Sequence, residues 1–145
     1  MIDWDHHSVS KKARQIADGL GSDVEIAKAL FEWVRDRIPH SRDAGREEVT
    51  CSASEVLAAG TGICYAKSHL LAAMLRVNGI PAGFCYQVYQ DEESDDPERL
   101  SLHGLNGIYL KSVGRWIRVD PRGNTSNADA LAEFDLEVER LAFPS

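Results

Sequence analysis

The sequence predicts an α+β fold: N-terminal helices, with one central helix packed on an antiparallel β-sheet. Two patterns carry this expectation. Apolar residues recur at three-and-four spacing through the first half of the 145-residue chain, and aromatic and β-branched runs bounded by Gly and Pro follow from residue 81 onward. Helices followed by a meander of strands form an α+β layer arrangement.

The elements are expected in the following order. Ser8 or Ser10 can cap a first helix running to about Gly19, and Ser22 with Glu25 three residues later is a capping-box signature for a second. Ile26, Ala29, Leu30, Trp33, Val34 and Ile38 make that second helix amphipathic until Pro39 ends it. Residues 39–50 read as a loop. Ser52 or Ser54 then caps a short helix, Ala53 to Ala59, which Gly60 closes in a left-handed conformation. From Ile63 the apolar positions Ile63, Ala66, Leu70, Ala73, Met74 and Val77, widened by Leu71 and Leu75, predict a helix buried on most sides and stopped by Asn78-Gly79. Pro81 to Gln90, Leu102 to Leu110 and Arg115 to Asp120 are predicted strands, the last two joined through Lys111-Ser112-Val113-Gly114. Ala128 to Leu136 fits either a short helix or the approach to an edge strand.

Composition narrows the functional classes. The length suits one domain spanning 1–145, with its core at about 22–123, and 43% hydrophobic with 27% charged residues is ordinary for a globular chain. No apolar stretch approaches the roughly 20 residues of a spanning helix. Met1 to His7 holds acids and histidines where a leader would have basic and then apolar residues, so a cytoplasmic location and no membrane partner are expected. Cys51, Cys64 and Cys85 are too few and too irregularly spaced for a disulfide framework or zinc ribbon. A net charge of −7 argues against nucleic acid, which needs concentrated Lys and Arg. The acidity is local, because Asp91, Glu92, Glu93, Asp95, Asp96 and Glu98 supply six of the charges and the rest of the chain is nearly balanced. That run reads as a solvated loop; it lacks the alternating ligands and central glycine of an EF-hand.

Cys64 lies where a glycine-broken turn gives way to the central helix. Unpaired N–H groups and the positive end of the macrodipole at a helix start favour thiolate over thiol. A thiol nucleophile also needs a base, and the base needs a group to orient it. His103 and Asp120 can fill those places. A hairpin centred between Lys111 and Ser112 would set them opposite each other on one face, about 5 Å apart, whereas a turn centred on Val113-Gly114 would separate them. Other histidines suit the base less well. His69 is five residues from Cys64 on the same helix, turned about 140° away. His40 borders a loop with nothing to fix it, and His6 and His7 lie near a terminus expected to fray. Cys85, between Phe84 and Tyr86, reads as a core thiol, and Cys51 has no argument for a role.

Three separated motifs then resemble the transglutaminase-like superfamily of papain-type thiol enzymes. They are Gly62-Ile63-Cys64 at a helix start followed by Arg76-Val77-Asn78-Gly79-Ile80-Pro81, then His103 opening a strand, and Trp116 four residues before Asp120-Pro121. The resemblance covers roughly residues 22–123. It implies catalytic roles for Cys64 as nucleophile, His103 as general base and acid, and Asp120 as orienting carboxylate, with no cofactor and no metal. The substrate would be a peptide or protein amide, including a glutamine side chain, and the acyl-enzyme would pass to water or to an amine acceptor. The Cys64 N–H is one oxyanion donor; Trp33, His40 and Tyr65 are candidates for a second. His103-Gly104-Leu105-Asn106-Gly107 departs from the common His-Ala-Trp-x-Glu pattern, which bears on substrate shape. The competing expectations are a non-catalytic scaffold domain that keeps the fold, and a metal site built from Cys64, His103 and Asp120.

Overall fold

Four helices precede a three-stranded sheet in the computed structural model, which describes residues 2–91, 94–123 and 132–143. Helix α1 spans His7–Ala17, α2 Asp23–Arg37, α3 Ala53–Ala59 and α4 Cys64–Val77; strands β1, β2 and β3 span Ala82–Gln90, Leu100–Leu110 and Arg115–Val119. The α+β expectation holds.

The caps explain most boundaries. The Ser22 side chain accepts from Glu25 N–H, and Ser52 with Glu55 forms a complete capping box. Gly60 closes α3 at φ 67°, a conformation open to glycine without steric penalty. One expectation is corrected at α1. Its cap is His6, whose Nδ1 accepts from Ser8 N–H, so the helix starts before Ser8 and the terminal histidine is part of the structure.

Helix α4 is the centre of the molecule. It touches α1, α2 and α3 on one side and β1 and β2 on the other. Every residue from Leu70 to Leu75 is fully buried. The sheet order is β1-β2-β3, with both pairings antiparallel. Even-numbered positions of β2 meet the helix: Ile108 and Leu110 enter the apolar core, and Asn106 Nδ2 donates to Ser68 O at 3.0 Å. Odd-numbered positions near the other end of the sheet meet residues 132–143. Tyr89 stacks on Phe143 with ring centroids 4.3 Å apart, and Gln87 Nε2 donates to Phe143 O at 3.2 Å.

Residues 132–136, the described part of the stretch left open between helix and strand, hold no helix and only an isolated bridge from Glu133 to Arg140. Residues 128–131 lie outside the described residues, as do Glu92 and Glu93 of the acidic run. No helix among the described residues is long and apolar enough to cross a membrane.

Candidate active site

Cys64 is the first residue of α4, and the Ile63 cap before it offers no side chain to the helix end. The chain reaches this point through Gly62, where a Cβ would lie 2.9 Å from Ala66 Cβ and 3.2 Å from Thr50 Oγ1. A side chain there would push the approach away from the first turn of α4. The glycine is therefore a packing requirement of the cysteine's position.

The hairpin register falls between the two that the sequence left open. Leu110 pairs with Arg115 and Asn106 with Val119, which centres the turn between Ser112 and Val113, one residue later than a directly opposed His103 and Asp120 would need. The turn closes with Gly114 N–H to Leu110 O at 2.8 Å, Gly114 has φ 74°, and the tip is tied down by Ser112 N–H to Asp23 Oδ2 at 3.0 Å. Asp120 also falls one residue past the end of β3, not on the strand. Moving a turn by one residue moves each partner by two, and an even shift leaves side chains on the same face. The pair thus becomes diagonal, within reach of a long side chain. His103 Nε2 lies 2.7 Å from Asp120 Oδ2, with the two side chains 2% and 0% exposed.

Beyond Val119 the third strand is gone, and the first turns of α4 stand beside β2 in its place. Ser68 Oγ donates to Gly104 O at 3.3 Å. The Cys64 thiol faces the His103 ring and the backbone N–H groups of Gly104 and Tyr65 closely enough for each to act on its ionisation. With Nε2 on Asp120, the nitrogen left for the thiol is Nδ1. Burial pushes the Cys64 thiol up, but His103, Gly104 and Tyr65 together outweigh it, and its pKa lies below the ordinary thiol value. Burial acts to lower that of His103, while Asp120 and Cys64 together raise it to about 9. Both shifts favour a thiolate–imidazolium pair.

Asp120 is held from three sides. Besides His103 it accepts from Arg122 N–H at 3.2 Å and from Ala142 N–H at 2.9 Å. The edge of Phe143 covers the His103 ring at a centroid distance of 4.9 Å. Sequence reasoning missed this C-terminal cover, because Leu141-Ala142-Phe143 has no motif of its own. A short apolar segment near a chain end is the one signal that could have suggested it.

Tyr65 lies across Gly104 so closely that a Cβ would sit 2.6 Å from its ring. Its hydroxyl donates to Leu102 O at 2.7 Å. The small residue after His103, where the common pattern differs, is thus matched to the tyrosine after Cys64. Trp33 packs under Lys12 of α1, with Nζ 5.6 Å from the ring centroid. His40 bridges to Gly62 through the backbone, two residues before Cys64. Its Nδ1 is buried with no hydrogen-bond partner among the described residues, and burial followed by the charge of Arg122 lowers its pKa to about 4. His69 bonds to Cys51 O at 2.7 Å. Cys51 is exposed and Cys85 half-buried, so Cys85 is not the fully enclosed core thiol expected. Among the described residues, no group of three or more His, Cys, Asp or Glu is arranged to hold a metal ion.

The profile of the transglutaminase-like superfamily matches residues 10–121. A proposed cysteine protease from Cytophaga hutchinsonii superposes with a TM-score of 0.61 at 20% identity, over 83% of this chain and 38% of that one. A structure described as a TGase gives 0.58 at 15% identity, over 90% and 33%. A proposed protease from Parabacteroides distasonis gives 0.54 at 15%, over 89% and 28%. This chain therefore spans well under half the length of each, and the likeness is one of fold. A search of curated proteins returned no match. With the matched residues running from α1 through Asp120 and the same fold in its structural neighbours, the chain belongs to the transglutaminase-like superfamily.

Proposed function

We propose that the chain is a thiol-dependent enzyme acting on amide bonds, with Cys64 as nucleophile, His103 as proton carrier and Asp120 as the carboxylate that orients the ring. The observation that carries this reading is the 2.7 Å bond between the buried His103 ring and the buried Asp120 carboxylate, beside a thiol at a helix start whose ionisation that ring favours. The thiolate attacks the carbonyl carbon of a peptide or glutamine side-chain amide. As the C–N bond breaks, His103 gives its proton to the departing nitrogen, leaving a thioester on Cys64. His103 then takes a proton from water or from an incoming amine, which displaces the thiolate and releases an acid or a new amide.

The oxyanion forms beside the first turn of α4, where the Cys64 N–H is free of intrahelical bonding. Of the three candidates for a second donor, the Tyr65 hydroxyl is spent on Leu102 O, and His40, whose backbone bridges to Gly62 two residues before Cys64, is the one we favour. Burial and the charge of Arg122 lower the His40 pKa to about 4, so the ring is neutral near pH 7 and keeps one N–H to donate. Exclusion of water at the thioester would separate acyl transfer from hydrolysis.

Selective alkylation tests the reading. Cys64 is expected to react with iodoacetamide at or below neutral pH much faster than the exposed Cys51 or the half-buried Cys85, and to slow sharply in His103→Ala. Equal rates at all three thiols would favour a scaffold domain and overturn the proposal. Incubation with peptide and glutamine amides, with and without a primary amine, then reads hydrolysis against transfer.

A further inference from the structure

Lys67 carries a charge that the proposed chemistry leaves unused. It sits on α4 three residues after Cys64 and is 1% exposed, although lysine is almost never fully buried without partners. Its Nζ donates to two backbone carbonyls, Arg35 O at 3.3 Å and Arg122 O at 3.2 Å. The first lies in the last turn of α2, where carbonyls lack intrahelical partners and the macrodipole favours a cation. The second belongs to the turn that follows Asp120. An apolar side chain of similar length would fill this space without the cost of desolvating an ammonium, so the charge and donors call for an explanation.

That turn is itself docked at the same spot. Gly123 N–H bonds to Asp120 O at 3.3 Å, Gly123 takes φ 77°, and a Cβ on it would lie 3.1 Å from Arg35 Cγ. Within the turn, Arg122 N–H holds Asp120 Oδ1 while the Arg122 guanidinium pairs with Asp43 at 2.9 Å. Lys67 is thus the tie between the end of α2 and the segment that aims Asp120.

We propose that Lys67 is a positioning residue: its buried ammonium fastens the Asp120–Gly123 turn to the end of α2 and so holds the Asp120 carboxylate against His103. The inference rests on the Cys64–His103–Asp120 reading of the site. One helix then presents the thiol from its first residue and, one turn later, secures the loop that bears the third group.

The charged and titratable groups facing Lys67 come from every side. Arg122 and Asp120 belong to the turn, Asp43 and His40 to the segment after α2, and Asp36 to α2 itself. Burial and then Arg122 lower the Lys67 pKa to about 7, against the opposing pull of the three carboxylates. Below that pH the ammonium offsets the negative charge of Asp120 and Asp43. Above it the neutral amine still donates to both carbonyls but no longer balances the carboxylates, so the setting of Asp120 becomes pH-dependent near neutrality.

An NMR titration of the full chain with labelled lysine and histidine tests this, with Lys67→Met beside the wild type. The Lys67 Cε signal is expected to inflect near pH 7, with the His103 ring signals responding at the same pH. In Lys67→Met the His103 midpoint is expected to fall from about 9 by at least one pH unit, a tenfold loss of proton affinity, because the loosened Asp120 contact outweighs the rise that loss of a nearby cation causes by itself. In an Asp120→Asn background the same substitution is expected not to lower the His103 midpoint. A His103 midpoint that stays put or rises in Lys67→Met overturns the proposal. Should Lys67→Met fail to fold, Lys67→Gln, which removes the charge but keeps a donor, supplies the same comparison. The readout is the His103 ring, so an unreactive Cys64 would be a separate result, counting against the enzyme reading alone.

Discussion

The two halves of β2 belong to one strand and differ in what stands beside them. From Asn106 to Leu110 both edges are paired, to β1 and to β3, and Ile108 and Leu110 are fully buried in the apolar core. From Leu100 to Leu105, among the described residues only the β1 edge is paired, and α4 with the Asp120–Gly123 turn stands beside the other edge. A backbone group that would have served a ladder bonds to a side chain instead: Gly104 O accepts from the Ser68 hydroxyl. A sheet that stops short on one edge therefore gains a polar seam beside a helix start. The core packing lies in the first half and the proposed chemistry in the second.

Substitutions can separate the two halves. The largest effect is expected from Asp120→Asn, which removes the carboxylate acceptor of His103 and sets an amide against three donors; amide turnover should fall by about 10²–10⁴-fold, measured as kcat/KM. Leu110→Ala acts on the other half. It should cost about 2–5 kcal/mol in urea unfolding while the alkylation rate of folded Cys64 stays within about twofold. A fall in that rate as large as that of Asp120→Asn would mean the halves are not independent. Gly104→Ala lies on the seam itself and must displace the Tyr65 ring, so a loss of about 1–3 kcal/mol is expected together with slower alkylation of Cys64.

The smallest effect is one of pH. His103 has a folded pKa of about 9, above its unfolded value near 6.5, so it binds the extra proton only in the folded state between those limits. Its stabilisation is complete below about pH 6.5 and is lost as pH rises through about 9. The melting-temperature gap between wild type and His103→Ala should therefore narrow over that range. A gap that widens would remove the charged imidazole from the account.

Much of the architecture was legible because its signals are local. Ser22 with Glu25 and Ser52 with Glu55 cap helices through bonds spanning three residues, and Gly60 and Gly79 end helices by their own backbone freedom. The start of α4 at Cys64 was legible for the same reason. The register was not, because the turn between β2 and β3 is placed partly by Asp23, some 90 residues earlier in the chain. Neither was the cap at His6, since histidine rarely advertises that role, nor the seating of Phe143 against His103, which joins segments distant in sequence.

Alone, then, the sequence determined the starts and stops of the helices after α1, the α+β order, the family motifs, and the three residues Cys64, His103 and Asp120 as candidates for joint chemistry. Periodicity, caps and glycine conformations act over a few residues and are written where they act. The tertiary structure decided that His103 and Asp120 meet on a diagonal rather than face to face, and that Gly104 yields its volume to Tyr65. It also decided that the charge of Lys67 is buried between two backbone segments. Those outcomes depend on which surfaces exclude water together, and only the packed chain sets that.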